Sequence, residues 1–120
     1  MALLAVDHAA SDDAVVVRVK GDVDSSTVDE LTAHLSAALK LAAEHPARLL
    51  VVALQAVTFF GSAALNAMLD CREGGRESGT AVRLVADHDT VLRPIEVTGL
   101  DQVLAVYPTL ADALQRKRES

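Results

Sequence analysis

The stretch LLVVAL, residues 49–54, constrains the fold of this chain more than any other segment. Six apolar residues in a row leave no face for solvent, so the run reads as a strand buried on both sides, the centre of a sheet covered by helices. The flanking patterns supply the rest of such a sheet. In AVVVRVKG, residues 14–21, Val15, Val17 and Val19 alternate with Arg18 and Lys20, as in a half-buried strand. Ala2 to Val6 form a short apolar strand before it, and Ser11-Asp12-Asp13 supply the turn of an opening hairpin.

Gly21-Asp22-Val23-Asp24 breaks the strand pattern, and Thr27 with Glu30 three positions on has the spacing of a capping box. Val28, Leu31, Leu35, Leu39 and Ala42 then recur at helical spacing until His45-Pro46, where proline disfavours helical geometry. The central strand is expected to end near Leu54, with a crossing segment closed by Phe59 and Phe60 as apolar anchors. A second helix opens at Ser62, carries Leu65, Met68, Leu69 and Arg72 along one side, and stops at Gly74-Gly75 and Ser78-Gly79. Ala81 to Val85 form the next strand, and residues 89–97 a short helix that holds Pro94 in its first turn or as a kink. Thr98-Gly99-Leu100 punctuates it, Val103 to Val106 add an edge strand, and Leu110 to Leu114 a last helix. This order predicts one α/β domain over residues 1–120: a mixed sheet of four to five strands with about four helices packed on it.

Composition narrows the function. Hydrophobic residues are 51% of the chain but aromatics only 2%, so the core is aliphatic and no stacking platform for bases or sugars is expected. A formal net charge of −6 argues against nucleic acid, whose phosphates call for a basic stripe, and suits a basic protein partner. Cys71 is the single cysteine, which excludes an internal disulfide; placed mid-helix, it reads as a packed hydrophobe. His8, His34, His45 and His88 are scattered, none at the spacing of a helical zinc site, so no metal is expected. No glycine-rich phosphate loop follows a strand, and Ser62 sits in GSAA, not GxSxG, so neither a cofactor nor enzymatic activity is expected. No stretch is long and apolar enough for a membrane span, and no basic, apolar leader opens the chain, which reads as a cytoplasmic domain.

TFFGSAAL, residues 58–65, holds the one hydroxyl that invites a functional question. Ser62 has two readings: an N-cap of the second helix, or a chemical handle for another protein. A phosphate there would add ~1.5–2 negative charges and three acceptor oxygens beside unpaired helix amides, altering a surface without unfolding it. The small side chains of Ala63 and Ala64 leave room for a partner to approach.

Three motifs in order carry a resemblance. VKGDVDSSTVDEL contains the strand-ending G-x-x-D turn, Gly21 to Asp24; VTFFGSAAL, residues 57–65, matches a V-x-F-x-D-S-S-G-L pattern; IEVTGLDQVLAVYPTLADAL matches L-x-x-T-G-L-D followed by an apolar stretch and a final A-L helix. Over nearly its whole length the chain resembles a stand-alone STAS domain of the bacterial anti-sigma factor antagonists. The resemblance implies partner switching: the unphosphorylated protein binds an anti-sigma factor serine kinase and frees a sigma factor, phosphorylation at Ser62 ends that binding, and a serine phosphatase restores it. It also implies a partner-binding surface of Asp22, Asp24, Ser25, Gly61, Ser62, Ala63, Ala64 and Asn66. Within D-S-S-G-L this chain keeps Ser62 and Leu65, with Gly61, Ala63 and Ala64 at the other positions. Gly61 removes a carboxylate that would orient the acceptor hydroxyl, and Ala63 leaves Ser62 without a competing hydroxyl beside it. The alternative is a STAS interaction module of a transport or stress-signalling complex that does not act on sigma factors.

Overall fold

A computed structural model describes residues 4–115. Strands β1 (Leu4–Ala10), β2 (Val15–Val23), β3 (Leu49–Phe60), β4 (Ala81–Val85) and β5 (Ala105–Tyr107) form one sheet in chain order. β1 and β2 make an antiparallel hairpin, turned by Ser11, whose amide and hydroxyl both bond the Ala14 carbonyl. From β2 to β5 the strands are parallel, joined through α1 (Val28–Ala43), α2 (Ser62–Ser78) and α3 (Asp89–Val97), the last followed by a 3-10 turn at Leu100–Gln102. α4 (Leu110–Leu114) follows β5.

The LLVVAL run does lie in the middle strand, and its lack of a polar face has a direct cause. Leu50, Val52 and Leu54 point into the main core with Val15, Val17 and Val19, beneath Leu31 and Leu35 of α1, Met68 of α2 and Ile95 of α3. Leu49 and Val51 point the other way, into a smaller core with Val16, Val85 and Ala113, closed by Leu110 and Leu114 of α4. α4 thus explains why Val16 is buried although it falls on the outward side of the alternation in β2.

Both central strands run further than local pattern suggests. β2 does not break at Gly21 but continues to Val23, and β3 passes Leu54 to end at Phe60, with no crossing segment. Gly21 takes φ 108° and the register shifts on either side of it, a bulge that carries the strand onward. The extensions satisfy each other: Gly21 lies opposite Val57, Asp22 opposite Phe59 and Val23 opposite Phe60. Similarly, Gly74 and Gly75 lie inside α2, which ends at Gly79 in the left-handed conformation (φ 74°), with the Thr80 amide bonded to the Gly75 carbonyl at 2.7 Å.

Smaller differences follow the same logic. β1 extends to Ala10, and Ala2 and Leu3 of its expected span lie outside the described residues. Pro94 is the sixth residue of α3, past the first turn, where it withholds one helical hydrogen bond. The edge strand is Ala105–Tyr107; Val103 instead bonds back to Leu100 in the 3-10 turn, and Leu104 is buried.

Candidate functional site

The long pairing of β2 and β3 brings two chain reversals side by side at the C-terminal ends of the parallel strands, where helix N-termini gather. One reversal leads from Val23 through Asp24 into α1, the other from Phe60 through Gly61 into α2, and the Gly61 amide bonds the Val23 carbonyl at 3.3 Å. Asp24, Ser25, Phe59, Gly61, Ser62 and Ala63 line one shallow depression of about 180 Å³.

The Asp24 loop is held by its own side chains. Asp24 Oδ1 accepts from the Ser26 amide at 2.9 Å and the Ser26 hydroxyl at 2.7 Å. Thr27 is the N-cap of α1, yet no capping box forms: its Oγ1 donates to the Asp22 carbonyl at 2.8 Å and accepts from the Asp24 amide at 3.0 Å. The hydroxyl is spent on closing the loop against β2. The Ser26 hydroxyl, then the Ser26 amide, hold the Asp24 carboxyl below its ordinary value of 3.8. Its folded value being the lower one, the stabilisation is present above about 3.8 and is lost as pH falls through the folded value. Ser26→Ala is expected to move the Asp24 titration upward, followed by carboxyl carbon NMR.

Ser62 is the first residue of α2 and exposed, but it is not the N-cap. The chain leaves β3 extended at Gly61 (φ −97°, ψ −166°), which takes the cap position and accepts from the Ala64 and Leu65 amides at 3.0 and 3.1 Å. The Ser62 hydroxyl is therefore not consumed by capping. No acidic residue lies in the first turn of α2, so the positive end of its dipole has no internal counter-charge.

The other residues named from sequence divide. Ala63 is half-buried at the rim and Asn66 is exposed one turn on. Ala64 is fully buried in the main core, which removes its side chain from any contact surface. Asp22 lies outside the depression, its carboxylate accepting from the Thr58 hydroxyl. The two phenylalanines also part: Phe60 is an anchor at 3% exposure, while Phe59 is 50% exposed and borders the depression. Adjacent strand residues face opposite ways, which is the signal in the FF pair that would have separated them.

A STAS domain family model matches residues 5–113. The chain belongs to the STAS domain family. It is 34% identical over 106 residues to the anti-sigma-F factor antagonist RsfA of Mycobacterium tuberculosis, covering 86% of this chain and 79% of that one. A crystal structure of an anti-sigma factor antagonist from Mycobacterium paratuberculosis superposes with TM-score 0.83 at 34% identity, over 93% of this chain and 92% of the other. An anti-sigma factor antagonist (STAS) domain protein from Planctomyces limnophilus shares the fold, with TM-score 0.71 at 19% identity over 91% and 93% of the two chains.

In this STAS domain, Gly61 and Phe59 are coupled. A Cβ at position 61 would lie 3.0 Å from Phe59 Cε2, so a side chain there needs the ring to give by a few tenths of an ångström. Gly61→Asp is expected to be better tolerated with Phe59→Ala than alone, a coupling of about 0.5–1 kcal/mol in urea unfolding. Cys71 packs in the main core, where burial pushes its thiol up to about 12, so iodoacetamide is expected to modify it only on unfolding. Among the described residues no group of three or more His, Cys, Asp or Glu is arranged to hold a metal ion, and no helix is long and apolar enough to cross a membrane.

Proposed function

We propose that this STAS domain is an anti-sigma factor antagonist that binds a kinase-type anti-sigma factor, so releasing a sigma factor, and loses that binding when Ser62 is phosphorylated. A serine phosphatase returns it to the binding form. The main support is Ser62 itself, exposed at the start of α2 in a depression shared with the Asp24 loop. The names carried by the mycobacterial relatives at 34% identity support the antagonist role.

The physical account is short. A phosphate on Ser62 adds ~1.5–2 negative charges at the positive end of α2, whose first turn holds no acid, so the helix tolerates it while the surface beside Asp24 becomes more negative and changes shape. Phosphoryl transfer belongs to the kinase, with its ATP and Mg²⁺; this chain is substrate and binder. Asp22, Asp24, Ser25, Gly61, Ala63 and Asn66 belong to the proposed contact region.

Incubation with a candidate anti-sigma factor, ATP and Mg²⁺ should place phosphate on Ser62, mapped by mass spectrometry; phosphate elsewhere would overturn the assignment. Affinity capture that recovers transporter subunits in place of an anti-sigma factor would favour an interaction module outside sigma control.

A further inference from the structure

His8 and His34, 26 positions apart in the chain and scattered to a sequence reading, meet across the interface of β1 and α1. His8 continues the row Leu4, Val6, His8 on the face of β1 that packs against the main core, and His34 lies on α1 between the buried Leu31 and Leu35. Both rings are half-buried. Their Nδ1 atoms are 3.5 Å apart, with ring centroids at 5.6 Å and planes at 72°.

We propose that this pair is a two-histidine clamp for a divalent transition metal ion of the imidazole-binding class, such as Zn²⁺, Ni²⁺ or Cu²⁺. At 3.5 Å the nitrogens are farther apart than the 2.7–3.2 Å usual for a hydrogen bond from N–H, so a shared proton bridges them poorly. Two nitrogens each ~2.05 Å from a tetrahedral Zn²⁺ sit about 3.3 Å apart, close to the spacing found. A neutral imidazole binds such an ion through either nitrogen.

The other histidines are committed elsewhere. His45 donates from Nε2 to the Ser11 carbonyl at 2.7 Å and accepts at Nδ1 from the Ala47 amide at 3.0 Å, tying the end of α1 to the hairpin turn. His88 donates from Nε2 to the Val57 carbonyl at 3.0 Å, and its buried Nδ1 lies 3.8 Å from Asp87 Oδ1. With no third protein ligand among the described residues, the remaining metal positions are left to water, and Cu²⁺ is favoured over Ni²⁺ and Zn²⁺. β1 is an edge strand with one strand neighbour, so an ion shared with α1 pins it to the helix layer and stabilises the folded chain.

The test uses the full chain after chelator treatment, with ZnCl₂ or NiSO₄ followed by calorimetric titration and thermal unfolding. One ion per chain should bind, and Tm should climb by several degrees with the logarithm of metal concentration. His8→Gln and His34→Gln should each weaken binding by at least the roughly tenfold that loss of an outer-shell partner costs, and His45→Gln should not. Should a variant fail to fold by circular dichroism, imidazole nitrogen NMR of the unaltered chain decides: Zn²⁺ should shift Nδ1 of His8 and His34 together. No saturable uptake at millimolar metal, binding indifferent to both substitutions, or Zn²⁺ shifts confined to His45, His88 or Cys71 would overturn the clamp.

Discussion

Ser62→Glu is expected to weaken capture of the anti-sigma factor by about 100-fold or more, some 2.7 kcal/mol, while Ser62→Ala binds as the unaltered chain does and accepts no phosphate. The two effects separate because Ser62 is exposed and its hydroxyl caps nothing, Gly61 holding that position. A carboxylate in the first turn of α2, which has no acid there, should raise folding stability by about 0.3–1 kcal/mol. Lost binding in a protein that is equally or more stable to urea is thus the signature of a surface switch. Undiminished capture by Ser62→Glu would end the switching model, and a comparable loss in Ser62→Ala would make the hydroxyl a contact and not an acceptor.

The neighbouring glycines of α2 should respond to alanine with opposite signs. In an isolated helix each change gains about 1 kcal/mol of propensity. At Gly74 a new Cβ meets only Leu39 Cδ1, at 3.2 Å, the movable end of a side chain, so most of that gain should survive. At Gly75 it would stand 2.7 Å from both the Thr80 carbonyl oxygen and Val82 Cγ2, so α2 must back away from β4. Overpacking of this kind costs about 1–3 kcal/mol, leaving Gly75→Ala destabilised by up to about 2 kcal/mol. Urea midpoints at unchanged slope measure both. Equal shifts would mean that the helix and strand are less closely apposed at Gly75 than the structure has them.

Close approach at Gly75 was hidden in the sequence because a glycine pair also reads as a helix stop, and only the distance between α2 and β4 decides which it is. The candidate site was legible to a similar degree. An exposed hydroxyl at a helix start could be read from TFFGSAAL, but the burial of Ala64 was decided by how α2 seats on the main core. The outward turn of Phe59 follows from strand alternation once β3 is known to run through to Phe60, and that extension was not legible locally.

Sequence alone determined the central position of LLVVAL, the apolar face of α1, the span of β4, and the short helices α3 and α4, because unbroken apolar runs and helical periodicity report burial directly. Tertiary structure decided what residues far apart do for each other. β2 and β3 outlast their local stop signals because each satisfies the other's backbone, and the Thr58 hydroxyl reaches Asp22 across 36 residues of chain. His8 and His34, 26 positions apart, face each other for the same reason: hairpin register and the seating of α1 set their spacing, and neither leaves a trace in a local pattern.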